Sequence, residues 1–234
     1  MPSTTESLFD VERRCQRCAA RQHCFIGGLP PDVQGHLDPL IRELSFRKGE
    51  TLQTEGEVPT VVRSIKLGTV MLTRKGPDGD PHPVALAGRG HLLGLWGLLD
   101  GSALLGAEAL SSVRICELPT SALRQVLGQA CASQSLLHGH MSREHSLLAD
   151  WAALMRLHGL PSQLMAALML QAREQGSTSI QLPSQVALAR LLGASRESVA
   201  RALRQIEERG YLRRVDRWHG ELTGTHRLIF RNGM

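Results

Sequence analysis

The sequence predicts an α+β chain in which an N-terminal β-roll is followed by one long helix and a C-terminal winged helix-turn-helix. Three observations in the 234 residues predict this order. Short apolar runs separated by Gly, Pro and Asp come first, an uninterrupted helical stretch follows, and two short helical patterns around a Gly-Ala turn come near the end. We therefore place a cysteine-rich segment at residues 1–28, the β-roll at 29–133, the long helix at 134–159 and the winged helix-turn-helix at 160–234.

The β-roll is predicted from the stretch between about Pro30 and Pro119. Runs such as "KLGTVMLTRKGPDG" alternate apolar β-forming residues with turn residues. Many short strands joined by tight turns are typical of a jelly-roll barrel. From about Ser121 the turn residues disappear, which marks the start of the helical part of the chain.

The long helix carries a heptad pattern. Its members are spaced alternately by four and three residues, and they are Leu137, Met141, Glu144, Leu148, Trp151, Met155 and His158. A sustained pattern of this kind predicts a helix that pairs with a second copy of the chain, with Glu144 as a polar residue that sets the register. The alternative is that the same face packs on the chain's own β-roll.

The excess charge is concentrated in the last quarter of the chain. From Ser184 to the end there are ten Arg, no Lys and five acidic residues, whereas residues 1–183 hold seventeen basic and seventeen acidic residues. Such asymmetry predicts a polyanionic partner for the C-terminal segment, and Arg suits forked contacts to phosphates and guanine edges.

The same segment has the pattern of a helix-turn-helix. One helix begins after Ser184, a turn falls at Gly193 and Ala194, and a second helix begins after Ser195. The second helix is predicted to read double-stranded DNA in the major groove with the residues that its apolar face leaves outside, namely Ser195, Arg196, Glu197, Ala200, Arg201 and Arg204. The alternative is an ion-paired surface, because Glu197 and Arg201 stand four residues apart.

Three of the five cysteines lie within ten residues, at Cys15, Cys18 and Cys24. The N-terminus lacks the features of a secretion signal, and no apolar run is long enough to span a membrane, so we expect a cytoplasmic protein with reduced thiols. Clustered cysteines there indicate a metal site or redox chemistry. Zinc, a redox pair of Cys15 and Cys18, and simple packing remain as alternatives. Cys131 is expected to be a buried packing residue.

The order of β-roll, long helix and winged helix resembles the CRP/FNR superfamily of bacterial transcription regulators. The stretch "GASRESVARAL" is similar to its recognition-helix signature, in which a Glu and an Arg four residues later contact the operator. Glu197 and Arg201 match those positions. Ala200 stands where the FNR branch usually has Ser, and Arg196 is more like the catabolite-activator branch. The resemblance implies a homodimer on an inverted-repeat operator and a contact with RNA polymerase.

The resemblance also extends to the cysteines. FNR-type sensors carry a Cys-x2-Cys-x5-Cys segment and a fourth Cys in the β-roll, all of which ligate a [4Fe-4S] cluster. Cys15, Cys18 and Cys24 have that spacing, and Cys116 lies at the matching place in the roll. The resemblance therefore implies an oxygen-responsive regulator, with zinc or thiol oxidation as an alternative signal and an iron–sulfur electron carrier as a weaker one.

Two further functions are not expected. The stretch "GRGHLLGLWGLLDGSALLG" corresponds to the phosphate cassette of cyclic-nucleotide-binding relatives but lacks its Glu and its Arg, so an anionic nucleotide would have no countercharge. No nucleophile and base stand in a recognisable frame, so enzymatic activity is not expected either.

Overall fold

The computed structural model describes residue 15 and residues 18–129 and 131–223, without the Gln129 side chain. Its N-terminal half is a β-roll of two four-stranded antiparallel sheets, with the strand orders β1-β8-β3-β6 and β2-β7-β4-β5. The strands are β1 (Arg42–Phe46), β2 (Thr51–Gln53), β3 (Val61–Leu67), β4 (Val70–Lys75), β5 (Pro81–Ala87), β6 (Leu92–Leu93), β7 (Gly106–Ala109) and β8 (Val113–Pro119). This architecture confirms the α+β fold class and the predicted β-roll.

Tight turns hold the two sheets of the roll together. Gly68 joins β3 to β4 with φ 97°, and a Cβ at this position would lie 2.4 Å from the Ser112 carbonyl oxygen. Only glycine combines a positive φ with so close an approach of two backbones. The inner faces of both sheets bury apolar side chains such as Ile65, Met71 and Ile115.

Short N-terminal helices cover one side of the roll. They are α1 (Phe25–Gly28) and α2 (Pro31–Leu37), with 3-10 turns at Arg21–His23 and Asp38–Leu40. Phe25 is fully buried, and it lies in a hydrophobic cluster with Leu37, Leu118 and Leu123. The cysteine-bearing segment is therefore packed onto the roll.

After α3 (Thr120–Gln129), the long helix α4 spans Cys131–Leu154 and ends earlier than predicted. Met155 and His158, which the heptad pattern placed on the helix, lie beyond its end. The last turn tightens, with the Leu157 N–H donating to the Leu154 carbonyl, and the Gln163 side chain donates to the Met155 and Leu157 carbonyls. These bonds satisfy carbonyls that would otherwise continue the helix.

The heptad face of α4 is turned toward the chain's own β-roll at three of its positions. Trp151 is 1 % exposed and packs in the core, Leu137 packs against the hydrophobic cluster of the N-terminal helices, and Glu144 accepts a hydrogen bond from the roll. The chain itself covers Trp151 completely, which leaves it no surface for a second copy, whereas Leu137 and Glu144 are half-buried and their role as dimer contacts stays a prediction. Met141 and Leu148 remain half-buried.

The C-terminal part is a winged helix-turn-helix, as predicted. It comprises α5 (Leu160–Gln175), β9 (Ser179–Gln181), α6 (Gln185–Leu192), α7 (Arg196–Glu208), β10 (Leu212–Arg214) and β11 (His219–Leu222), with the sheet order β10-β11-β9. The Ser184 and Ser195 hydroxyls accept hydrogen bonds from the first turns of α6 and α7, and Gly193 ends α6 with φ 60°.

The winged helix docks on the roll. One hydrophobic core runs from the strands through Trp151 and Leu154 to α6 and α7, and Arg190 on α6 forms an ion pair of 3.5 Å with Glu108 on β7. Among the described helices, none has both the length and the apolar character needed to cross a membrane.

Candidate functional site

The structure brings the predicted cysteines to one place on the roll. Cys15, Cys18 and Cys24 follow one another along a wound segment, in which the Arg21 N–H bonds the Cys18 carbonyl and the Cys24 N–H bonds the Arg21 carbonyl. Cys24 lies just before α1. This winding turns the thiols of a short segment toward the sheet that carries Cys116.

Cys116 lies in the middle of β8, between two neighbouring strands. Its register partners are Glu43 on β1 and Ser64 on β3. The Cys24 Sγ is 3.4 Å from the Ser64 Oγ, so Cys24 lies over the same pair of strands. Cys15 and Cys116 are both buried, at 8 % exposure each. We name Cys15, Cys18, Cys24 and Cys116 together the cysteine centre.

Burial lowers the acidity of the two buried thiols, Cys15 and Cys116, by raising the pKa of each. It raises the pKa of Cys116 to about 12, although the nearby Lys66 ammonium acts in the opposite direction. It also raises the pKa of Cys15, with a further increase from a hydrogen bond to the buried Asp38 carboxylate. A negative charge on Cys24 would raise both pKa values, and one on Cys18 would raise that of Cys116. Cys116 therefore lies within electrostatic reach of each of the other three thiols.

Such a set of donors fits a group that supplies positive charge. A thiolate in a dry environment is costly by itself, and a bound metal removes this cost by holding the sulfur deprotonated. All four cysteines have free thiols. The residue types and their burial therefore match a cysteine-ligated metal centre.

The thiols do not converge on a single ion. Among the described residues, no three His, Cys, Asp or Glu side chains are placed so that one metal ion would contact all of them. Cys131, expected to be buried, is exposed on α4. It has no part in the cysteine centre.

Sequence reasoning missed the residues that surround the centre. Lys66 lies near Cys18 and Cys116, and its ammonium donates to the Glu43 carboxylate at 2.6 Å. Asp38 lies beside Cys15. Sequence spacing carries no signal for these neighbours, because they come from strands and turns that only the folded roll brings together.

The second helix of the helix-turn-helix, α7, presents its predicted reading residues to solvent. Arg196, Glu197, Arg201 and Arg204 are exposed, and Ala200 is half-buried among them. Ser195 accepts a hydrogen bond of 3.1 Å from the Ser198 N–H. The opposite face of α7 buries its apolar residues in the core. The amphipathic helix is therefore anchored on one side and open on the other.

The charges of this helix are available for a partner. In the described part of the chain, no ion pair joins Glu197 to Arg201, and the Arg201 guanidinium donates to the Ser198 hydroxyl instead. Hydrogen bonds from its own backbone N–H and from Ser195, helped by Arg196, hold the pKa of Glu197 below its usual value. Glu197 is thus an ionised acceptor, which can accept a hydrogen bond from cytosine N4.

Unlike the Arg residues of α7, Arg residues of the wing form ion pairs within the protein. Arg213 pairs with Glu221 across the β10–β11 hairpin, and Arg214 pairs with Glu207 at 2.9 Å. At the tip, the Trp218 ring lies 4.9 Å from the Arg217 guanidinium carbon and 5.8 Å from the Lys48 ammonium of the roll. Cation–π contacts therefore hold the wing near the roll.

The stretch that corresponds to the nucleotide cassette forms the 3-10 turn Leu95–Leu99. The nearest cation, Arg124, already donates to the Gly97 carbonyl and to the Asp100 carboxylate, each at 2.8 Å. That cyclic nucleotides are not bound here stays a prediction.

A sensor-like β-roll joined by a long helix to a winged helix-turn-helix, with a free Arg- and Glu-bearing reading helix, defines a DNA-binding transcription regulator. The comparisons with known proteins agree. Residues 43–130 match the model of the cyclic nucleotide-binding domain, and residues 162–228 match that of the Crp-like helix-turn-helix domain. The chain belongs to the CRP/FNR family of transcription regulators.

Individual relatives are distant but cover most of the chain. The CRP-like cAMP-activated global transcriptional regulator of Mycobacterium tuberculosis is 26% identical over 197 residues, which is 80% of this chain and 86% of the relative. The nitrogen fixation regulation protein FixK of Bradyrhizobium diazoefficiens is 25% identical over 202 residues, 84% of either chain. The structure of FixK2 from Bradyrhizobium japonicum has a TM-score of 0.69 at 24% identity and covers 80% of this chain and 94% of that one. The first of these relatives is a global transcriptional regulator, and the second is a regulation protein of nitrogen fixation.

Proposed function

We propose that this regulator senses oxygen through a [4Fe-4S] cluster held by Cys15, Cys18, Cys24 and Cys116. The observation that carries the proposal is that four free thiols from two distant parts of the chain, two of them buried, are neighbours on the roll. Four cysteine thiolates are the ligand set that such clusters use.

A single zinc ion and a four-iron cluster need different separations between their cysteine ligands. Zinc is bound tetrahedrally with Zn–S bonds of about 2.3 Å, so its sulfur ligands lie only about 3.8 Å from one another. In a four-iron cluster each thiolate binds a different iron, and the sulfurs lie farther apart. Four thiols that are neighbours without converging on one point are compatible with the second arrangement.

The chain's own residues have distinct roles in this proposal. Cys116 provides a ligand on a rigid strand, and the wound segment provides the other three. The hydrophobic cluster around Phe25 and Leu118 keeps water away, and Lys66 places positive charge beside the thiolates. The bound cluster would supply an oxygen-labile inorganic centre, whose loss would free the cysteine segment to move.

The signal is proposed to reach DNA through helix α4. Its inner face is covered by the chain itself, so a second copy would contact the neighbouring face, where Met141 and Leu148 remain half-buried. Pairing there would place two α7 helices on the two halves of an inverted-repeat operator about one DNA turn apart. Surface loops of the roll would contact RNA polymerase.

Replacing Met141 with Glu is expected to weaken the dimer more than tenfold. The new carboxylate would be buried against its symmetry mate, and two like charges in a desolvated seam repel each other. Sedimentation of the anaerobically purified protein at several concentrations measures the change. Ser146→Glu is the matched control, because it adds the same charge on the opposite, exposed face of α4. A dimer that tolerates Met141→Glu as well as Ser146→Glu would contradict this pairing.

The sensing proposal is tested by an anaerobic absorption spectrum with iron and sulfide analysis, repeated during air exposure while operator binding is followed. We expect a brown protein with about four irons per chain that loses colour and operator affinity together. A colourless protein that contains zinc, or no metal, and still binds DNA would overturn the cluster and transfer the signal to zinc or thiol oxidation. A brown protein without DNA affinity would favour an electron carrier.

A further inference from the structure

Two elements of the chain meet at the Glu144 carboxyl group, and a third packs beside them. Glu144 lies on α4, and its Oε1 accepts a hydrogen bond of 3.0 Å from the Leu92 N–H at the start of β6. The same oxygen is 3.9 Å from the Nδ1 of His91, whose side chain is 8 % exposed. The carboxyl group therefore ties the long helix to the turn between β5 and β6.

The third element is the cysteine segment. His140, one turn before Glu144 on α4, lies edge-on to Phe25, with their ring centroids 5.5 Å apart, and Phe25 directly follows Cys24. Gly90, beside His91, approaches His23 so closely that a Cβ would lie 2.2 Å from the His23 carbonyl oxygen. The segment from His23 to Phe25 thus packs against both the helix and the turn that Glu144 joins.

Burial favours the uncharged forms of the titratable groups at this interface. Burial raises the pKa of Glu144 to about 8 and lowers the pKa of His91 to about 4. Burial, with the charge of Arg143, also lowers the pKa of His140 to about 4. Burial also raises the pKa of Glu174, which lies on α5, and the positive charges of Arg173 and Arg143 act in the opposite direction. The Glu144 Oε1 and the His91 Nδ1 are 3.9 Å apart, which is too long for a direct hydrogen bond.

We infer that Glu144 is a positioning residue that joins helix α4 to the β5–β6 turn, against which the cysteine segment packs, and that it binds a proton each time this interface closes. When the interface opens, the carboxyl group meets water, and its proton passes to solvent; closure takes one proton back. The inference rests on the proposed function, because a change at the cysteine centre would act on α4 through this contact.

The sign of the pH dependence follows from the pKa shifts. The pKa of Glu144 is higher in the closed state, so its favourable contribution is complete below its ordinary value of 4.5 and is lost as the pH rises toward 8. The pKa values of His91 and His140 are lower in the closed state, so their contribution is complete above 6.5 and is lost as the pH falls toward 4. Closure is therefore most stable near pH 6.5.

Hydrogen exchange in the full chain, purified in air and free of iron, tests the inference. We expect the protection factors of the amides of α1 (Phe25–Gly28), corrected for intrinsic rates, to fall about tenfold between pH 6.5 and 8.5. In Glu144→Gln, which keeps an acceptor for the Leu92 N–H and cannot ionise, they should stay constant. Glu174→Gln is the control, because it removes another carboxyl group whose pKa is raised by burial, from a neighbouring helix, and it should keep the pH dependence of the wild type.

Two results would overturn the inference. One is a pH dependence of the α1 protection factors that persists in Glu144→Gln or disappears in Glu174→Gln. The other needs no variant: wild-type protection that stays flat between pH 6.5 and 8.5. Because these measurements use iron-free protein, a negative result would overturn this inference without contradicting the proposed cluster. Conversely, a protein that proved to contain zinc or no metal would still show the pH dependence.

Discussion

Replacing Cys116 with Ser is expected to abolish iron binding and the visible colour of the anaerobically purified protein. A serine hydroxyl is a poor substitute for a thiolate, and the three remaining cysteines belong to one short segment that has no other ligand on the rigid sheet. Operator binding under anaerobic conditions should fall to the level of the air-exposed wild-type protein. Iron analysis and the absorption spectrum measure the first effect, and fluorescence anisotropy with labelled operator measures the second.

Cys131→Ser is the matched control for this experiment. It makes the same chemical change at an exposed position on α4, away from the cysteine centre, so its iron content, colour and DNA affinity should equal those of the wild type. Circular dichroism should show that both variants are folded. A Cys116→Ser protein with wild-type iron content, or a Cys131→Ser protein without iron, would refute the assignment of the four ligands.

Arg201→Ala is expected to lower the affinity for the specific operator about 10- to 100-fold, since a bidentate contact to a base contributes about 1–3 kcal/mol of discrimination. Arg201 is exposed on the second turn of α7 and has no carboxylate partner in the described part of the chain. The operator is first selected from random duplexes with the anaerobic wild-type protein. Binding to this operator and to unrelated DNA is then measured at a fixed salt concentration, because phosphate contacts make every affinity salt-dependent.

Arg209→Ala separates base reading from general charge. It removes the same positive charge from an exposed residue at the far end of the helix, and it should lower the affinities for operator and unrelated DNA by similar, smaller factors. Arg201→Ala should lower the ratio of the two affinities, which reports specificity. Equal ratios in both variants would show that Arg201 acts only through its charge.

The order of the elements and the ends of the recognition helix were predictable because their causes are local. Ser184 and Ser195 supply caps, and Gly193 takes a positive φ, which other residues rarely adopt. The burial of Val199 and Leu203 follows from helical spacing alone. The same spacing leaves Arg196, Glu197 and Arg201 outside, which is where the structure places them.

The long helix shows where this kind of reasoning fails. A heptad pattern indicates that a helix has an apolar face, but it does not indicate which partner covers that face. Trp151 was predicted to meet a second copy of the chain, and the chain's own core buries it instead. The helix also ends at Leu154, and Gln163, from the next helix, donates to the carbonyls of Met155 and Leu157 just beyond that end. Contacts between elements decided both outcomes.

The sequence by itself determined the class of this protein: a β-roll, a long helix and an Arg-rich winged helix-turn-helix, with three closely spaced cysteines. Only the tertiary structure decided that Cys116 lies beside Cys24 across Ser64, that Lys66 and Asp38 border the thiols, and that Glu144 is buried near His91. The reason is physical. Caps, turns and periodicity act over a few residues, whereas burial and the pKa shifts that it causes depend on neighbours that folding brings from distant parts of the chain.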